Sequence, residues 1–126
     1  MNSSAKRIID NKLNSLSKSK FRSSFHLRKK EIDYINKNGL DVILEHAKKF
    51  VDEKLGDAYP LNDGSQTPMK NHPVFIAQHA TGCCCRSCLE KWHHISKGRK
   101  LTDNEKNYII MLIMEWIKRE YKEKLV

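Results

Sequence analysis

The residues best suited to chemistry lie in one segment of the chain, between positions 72 and 94. This segment contains all four cysteines and four of the six histidines: His72, His79, Cys83, Cys84, Cys85, Cys88, His93 and His94. Thiol and imidazole groups bind transition metals or act as nucleophiles and general bases, and a free cysteine also packs as a small apolar side chain. The segment therefore predicts a functional or structural cluster, and three interpretations of it are open.

A zinc site is the first interpretation. Cys85 and Cys88 have the Cys-x-x-Cys spacing of many zinc-ligand pairs, and His93 follows a short distance behind them. His79 precedes them on another element and can complete the four donors that tetrahedral zinc requires. Cys84 can substitute for Cys85, because residues four apart share one face of a helix. The predicted metal ligands are therefore His79, Cys84, Cys85, Cys88 and His93, with zinc as the cofactor.

An enzyme is the second interpretation. Cys84, Cys85 or Cys88 would then serve as the nucleophile or as a metal ligand, and His79 or His93 would serve as the acid or base. A thioredoxin-type oxidoreductase is disfavoured, because the sequence around the cysteine pair lacks the required alternation of strands and helices.

A plain interaction scaffold is the third interpretation. Leu89 and Trp92 continue the helical face that carries the cysteines. Since free cysteines are among the most buried residue types, the thiols can simply fill a core.

Positive charge is concentrated at the N-terminus. The net charge is +9, and residues 1–30 hold nine Lys or Arg against one acid, Asp10. A second basic group, Lys97, Arg99 and Lys100, follows the cluster. Such basic segments favour binding to an anionic partner, and nucleic acid is the first candidate. The alternative is that they only increase solubility and bind nothing specific. Nucleic-acid association through the arm and the 97–100 loop is therefore a prediction.

The remaining composition narrows the class of protein. No apolar run is long enough to span a membrane or to form a signal peptide, so we predict a cytoplasmic protein with no membrane partner. Cysteines clustered within six positions cannot close the long loops of a secreted disulfide framework.

The pattern of apolar residues predicts the elements that carry the cluster. Helical spacing covers about 28–38 and 40–55, short helices are predicted over 74–80 and 83–94, and a Thr102-x-x-Glu105 capping box starts the last helix. The expected fold is mainly α: a compact single-domain bundle of about five helices with a long irregular loop at 57–72. The expected organisation is a basic, partly flexible N-terminal arm at 1–17 followed by one helical domain at 18–126.

Three motifs carry a resemblance to a known family. They are Asp63-Gly64-x-Gln66-Thr67-Pro68, His72-Pro73-Val74-Phe75-Ile76-Ala77-Gln78-His79-Ala80-Thr81 and Cys84-Cys85-Arg86-x-Cys88-Leu89-x-Lys91-Trp92-His93-x-Ile95. Together they resemble a family of small bacterial proteins called domain of unknown function 4186, from about residue 16 to about residue 119. That family has no established activity, so the resemblance implies a shared fold and no particular reaction.

The resemblance also sorts the cluster. His72, His79, Cys84, Cys85, Cys88 and His93 match the motifs, whereas Cys83 and His94 do not. The motifs also include polar residues that core packing does not require, which implies that the loop before Pro73 is a wall of the same site. The residues predicted to form this wall are Gln66, His72, Gln78 and Arg86.

Overall fold

The computed structural model describes residues 2–61 and 63–124, and it is mainly α-helical, as predicted. Met1, Asn62, Leu125 and Val126, which belong to the predicted arm, loop and domain, lie outside the described residues. The described part contains six α-helices, rather than about five, and a short 3-10 helix at Arg22–Ser24. The α-helices are α1 (Ser3–Ser17), α2 (Lys29–Asn38), α3 (Leu40–Leu55), α4 (Pro73–Ala80), α5 (Arg86–His93) and α6 (Asp103–Lys124).

Helix α6 lies at the centre of the fold and packs against α1, α3 and α4. It starts at the predicted capping box: the Glu105 amide donates to Thr102 Oγ1 at 3.1 Å, and the Thr102 amide donates to Glu105 Oε1 at 2.9 Å. Its apolar face, which includes Ile109, Leu112 and Ile113, is fully buried. Burial of this face against three other helices provides the main hydrophobic core.

Helix α1 packs onto this core through one apolar face. Ile9, Leu13 and Leu16, which have helical spacing, are buried. An ion pair between Asp10 and Arg119 joins α1 to α6. The predicted boundary between an arm and a domain at residue 17 stays a prediction.

Helices α2 and α3 form a hairpin with a very short joint. Gly39 ends α2 and precedes α3, and its φ of 85° lies in a region that favours glycine. After α3 the chain runs irregularly through the described residues of the predicted 57–72 loop. Helix α4 then starts with Pro73 at its first position, where the missing amide costs nothing.

The segment between α4 and α5 differs from the sequence prediction. A helix was predicted from residue 83, but residues 83–85 are not helical and α5 starts at Arg86. The reason is local: Cys85 has an extended backbone and its Sγ accepts a hydrogen bond from the Cys88 amide, so it caps the helix. The cysteines therefore lie on a turn and the first turn of a helix, and not along one helical face.

Among the described residues, no helix is long and apolar enough to cross a membrane.

Candidate metal centre

Three of the four cysteines converge on one point at the start of α5. The Sγ atoms of Cys84, Cys85 and Cys88 all lie within 4.8 Å of one another. The first two come from the turn before α5, and the third comes from its first turn. Within residues 2–61 and 63–124, this is the one group of three or more Cys, His, Asp or Glu donors that lie so close together.

A buried arginine from a distant part of the chain contacts these thiols. The Arg22 guanidinium donates to Cys88 Sγ at 3.2 Å, to Cys84 Sγ at 3.6 Å and to the His79 carbonyl at 2.7 Å. The Arg22 side chain is only 8% exposed, and no ion pair with a carboxylate is formed by it in the described part of the chain. The guanidinium therefore stabilises negative charge on the two sulfur atoms that it contacts.

The electrostatics of the cluster favour one thiolate. Hydrogen bonds with Cys84 and Cys85, followed by those with Arg22, hold the pKa of the Cys88 thiol well below its ordinary value. Hydrogen bonds with Cys85 and Cys88, together with burial, raise the pKa of Cys84 above its ordinary value. These opposite directions favour a thiolate at Cys88 over one at Cys84. The pKa of Arg22 is raised overall: burial acts to lower it, but the hydrogen bonds to Cys84 and Cys88 together have the larger effect.

The donor set fits a zinc ion. Zinc prefers thiolate ligands at about 2.3 Å, and a tetrahedron of such bonds places the sulfur atoms about 3.8 Å apart. The three Sγ atoms, all within 4.8 Å of one another, need only small side-chain rotations to reach that spacing. A divalent ion on three thiolates leaves one negative charge, which the Arg22 guanidinium balances.

The two predicted histidine ligands lie outside this group. His79 Nε2 donates to the carbonyls of Thr67 and Pro68, both at 3.1 Å, and its ring stacks on Phe25 with 5.5 Å between the ring centres. His93 Nε2 donates to the Thr81 carbonyl at 2.8 Å, and Tyr108 donates to His93 Nδ1 at 2.8 Å. Both imidazoles are thus held by groups other than the cysteines, and their ligation stays a prediction.

Cys83, which lies outside the family motifs, is separate from the other three cysteines. Its side chain is fully buried, and burial raises the pKa of its thiol to about 12. Its Sγ lies 3.6 Å from His93 Nε2, but that nitrogen donates to Thr81 and has no free lone pair for a thiol proton. The pair therefore lacks the thiolate and the free base that a Cys–His nucleophile requires.

Two of the predicted wall residues, Gln66 and Gln78, fix the loop against the cysteine turn. Gln78 donates to Thr67 Oγ1 at 3.4 Å and to the Cys83 carbonyl at 3.2 Å, and Thr67 in turn donates to the Cys84 carbonyl at 2.7 Å. Gln66 donates to Asp63 Oδ1 at 2.9 Å. That Asp63 oxygen also accepts from the Arg86 amide at 3.1 Å, so the loop caps the first turn of α5.

Arg86, a third predicted wall residue, is a structural cation that points away from the thiols. It is 1% exposed, and it donates to four main-chain carbonyls, those of Leu55, Asp57, Ser96 and Arg99, at 2.7 to 3.3 Å. These bonds tie the end of α3 to the 96–99 loop.

His72, the fourth predicted wall residue, belongs to a separate aromatic cluster. Its Nδ1 accepts from the Val74 amide at 3.0 Å and so caps α4, and its Nε2 therefore donates to His46 Nδ1 at 2.9 Å. Tyr34, Phe50 and Phe75 pack around this pair. Burial, followed by the nearby His46, lowers the pKa of His72 to about 4.

The predicted nucleic-acid residues lie on an exposed loop after α5. Lys97, Arg99 and Lys100 are exposed, but the Arg99 guanidinium forms two hydrogen bonds with the Glu105 carboxylate at 2.8 and 2.6 Å. This contact holds the pKa of Glu105 down to about 2. Lys97 and Lys100 are therefore the residues of this loop whose ammonium groups form no ion pair with a carboxylate in the described structure.

Arg22 is the site residue that the sequence analysis missed. It was counted only among the basic residues at 1–30, because it lies 66 positions from Cys88 and no spacing rule connects them. Its neighbour Phe25, which packs against the core, was the available signal.

Fold and site together define a small all-helical protein with a three-cysteine cluster beside a buried arginine. Residues 10–118 match the family described as domain of unknown function 4186. The chain belongs to this family, as the sequence motifs indicated. No solved structure matches the chain.

Proposed function

We propose that this protein is a zinc-binding module in which Cys84, Cys85 and Cys88 hold the ion. The convergence of three thiols against a buried guanidinium that has no carboxylate partner among the described residues carries the proposal. An arginine beside the sulfur atoms favours a thiolate centre, because its positive charge stabilises negative charge on sulfur.

The surroundings of the cluster also suit a metal site. The turn that carries Cys84 and Cys85 is held by Thr67 and by the capping of α5, so two of the donors are fixed before an ion arrives. Arg22 donates to two sulfur atoms and is thereby placed to orient them and to tune their basicity, as partners of metal ligands commonly do.

Metal analysis of the protein purified without chelators tests this proposal. We expect about one equivalent of zinc per chain, and protection of the three cysteines from thiol reagents until a chelator is added. Less than about a tenth of an equivalent, with all thiols free and stability unchanged by chelator, would contradict it.

Cys85→Ser is the most informative variant for this measurement. Serine is a favoured N-cap residue, so the variant keeps the cap on α5 and loses only the thiolate. Cys83→Ser is the matched control, since Cys83 lies outside the group. We expect the first variant to lose the zinc and the second to retain it, with the same helical content in both.

An enzyme with Cys88 as nucleophile is the second candidate. The observation that favours it is that Cys88 is only partly buried, unlike the other three cysteines, and lies 3.2 Å from Arg22 Nη2. In the metal-free protein, iodoacetamide should then label Cys88 far faster than Cys84 or Cys85. Uniform slow labelling of all cysteines would remove this candidate.

Nucleic-acid association is retained as a separate proposal that rests on charge. The basic residues at 1–30 outnumber acids by nine to one, and Lys97 and Lys100 lie exposed on the loop after α5. Exposed cations of this kind attract phosphate groups without reading sequence.

A further inference from the structure

We infer that the fourth coordination position of this centre is open to a ligand from outside the chain, and that it takes a small thiol. The inference rests on the proposed zinc site and adds a ligand class to it. Three features of the structure support it: the commitments of the nearby donors, the burial of Cys83 and the exposure of Cys88.

The nearby histidines are engaged elsewhere through their ring nitrogens. His79 donates to two main-chain carbonyls of the 63–72 loop, and those bonds hold the loop over the cysteine turn. Both ring nitrogens of His93 are occupied, one by Thr81 and the other by Tyr108. Ligation by His93 would break bonds that fix the end of α5, and His79 is not part of the group of donor atoms within 4.8 Å of one another.

The remaining nearby donors are also committed. Cys83 is fully buried, and its Sγ lies 3.6 Å from the Thr81 carbonyl. Asp63 accepts from the Arg86 amide and from Ser87 Oγ, at 3.1 and 2.9 Å, and thereby caps α5. Across residues 2–61 and 63–124, no fourth Cys, His, Asp or Glu donor joins the group of three.

One side of the cluster is accessible to a small molecule. Cys84 and Cys85 are buried, but Cys88 is only partly so. Beside it, the Arg22 guanidinium lies over the ring of Phe21, 5.1 Å from the ring centre, and over Trp92, at 5.9 Å. Phe21 is 54% exposed, so this aromatic border is open to solvent. Aromatic rings make favourable contacts with sulfur.

The chemistry of the centre favours sulfur as its fourth ligand. Three thiolates already make the ion a soft acceptor, and soft acceptors prefer thiolate to oxygen donors. The exchange is a simple substitution: a metal–sulfur bond forms, a water molecule leaves and the thiol proton passes to solvent, with no change of oxidation state.

Cobalt substitution tests the inference directly. Co²⁺ occupies tetrahedral zinc sites, and each thiolate ligand adds to its sulfur-to-metal charge-transfer absorption. The cobalt-loaded full chain is titrated anaerobically with 2-mercaptoethanol, and separately with ethane-1,2-diol, which has the same shape but no sulfur. We expect the absorption to rise by about a third with the thiol, as three sulfur ligands become four, and to stay unchanged with the diol.

The other outcomes are distinguishable from this one. If the spectrum does not change with the thiol while cobalt stays bound, the inference of an open fourth position is wrong, because a group of the chain already fills it. The variants His79→Ala and His93→Ala then identify that group. Loss of the absorption with cobalt recovered in the filtrate also overturns the inference, because the thiol removes the ion. A chain that shows no charge-transfer absorption before any thiol is added overturns the proposed zinc site itself.

Discussion

Arg22 and His72 show how one side chain can set the chemistry of its surroundings. Arg22 is buried, and its nearest negative partners are sulfur atoms. His72 is buried too, but both of its ring nitrogens are used in hydrogen bonds that require the neutral imidazole. We therefore expect Arg22 to affect the affinity of the cysteine cluster for a metal ion, and His72 to make the stability of the fold depend on pH.

Replacing Arg22 should weaken the metal site. Arg22→Met keeps much of the side-chain volume and removes the charge that balances three thiolates, so we expect the zinc dissociation constant to rise about 10- to 100-fold. Competition with a chromophoric zinc chelator measures this constant. Arg7→Met, at an exposed position in α1, removes the same charge from the chain and should leave the constant unchanged. Equal effects of the two variants would show that Arg22 acts only through net charge.

His72 should make stability depend on pH. Burial and the nearby His46 lower the pKa of His72 to about 4, while in the unfolded chain it is near 6.5. The neutral ring therefore stabilises the fold above pH 6.5, and that stability is lost as the pH falls from about 6.5 to about 4, because only the unfolded chain takes up the proton. The part due to His72 is roughly 2–3 kcal/mol.

His72→Asn isolates this contribution. Asparagine is a good N-cap residue for α4 but does not titrate, so urea unfolding between pH 7 and pH 4 should show a smaller loss of stability than in the wild type. His94→Asn is the control, since His94 is exposed and its φ of 57° is one that asparagine tolerates. A His72→Asn profile parallel to the wild type would contradict the argument.

At the scale of elements, the turn between α4 and α5 decides the geometry of the cluster. Gly82 lies in this turn with a φ of 69°, close to the side chain of Trp92 in α5. The 63–72 loop is bonded to the same turn through Thr67 and the Cys84 carbonyl. The close approach of the turn to α5 therefore holds the cysteines in place, and a side chain at position 82 would disturb it.

Gly82→Ala tests this packing against a matched glycine. A Cβ at position 82 would lie 2.9 Å from Trp92 Cγ, whereas one at Gly39, which has a φ of 85°, would meet nothing within 4 Å. Both variants carry a backbone cost of roughly 1–2 kcal/mol, and Gly82→Ala should cost at least about 1 kcal/mol more because Trp92 must move. Denaturant unfolding measures both costs, and a change in tryptophan fluorescence only in Gly82→Ala would locate the disturbance. Equal costs would mean that Trp92 adapts freely.

At the scale of the whole molecule, the hydrophobic core and the exposed charges are separate. The buried residues of α1, α3, α4 and α6 form one continuous apolar core, and the cysteine cluster adjoins it. Exposed basic residues lie on α1, α2 and α3 and on the loop after α5. Exposed basic residues can therefore be substituted without altering the core. The effect of surface charge on binding to a polyanion can then be measured separately from stability.

Nucleic-acid binding is tested with a salt series on such a variant. Lys97→Gln combined with Lys100→Gln should weaken binding to a short duplex and reduce the salt slope by about one for each phosphate that the removed lysines neutralise. The control, Lys37→Gln combined with Lys49→Gln, changes the charge equally at exposed positions of α2 and α3. Fluorescence anisotropy at several salt concentrations gives both values. No binding by the wild type even at low ionic strength would remove this partner.

The sequence alone determined the features that depend on local order along the chain. The spacing of apolar residues and the Thr102–Glu105 capping box identified the main helices, because capping and amphipathic burial act within a few residues. The motifs identified the family, which the match over residues 10–118 confirms. The same reasoning located the cysteine cluster within a short segment.

Only the tertiary structure decided what surrounds the cysteines. Their spacing could not show that Cys85 caps α5, since a capping residue and a first helical residue look alike in sequence. The spacing of the cysteines also could not show that Arg22 contacts Cys88. A contact between residues 66 positions apart depends on how α1 and the 3-10 helix pack against the rest of the fold. Ligation by His79 and His93 stays a prediction from spacing; the structure adds their hydrogen bonds to carbonyl groups and a tyrosine, which depend on the partners that the fold places beside each buried imidazole.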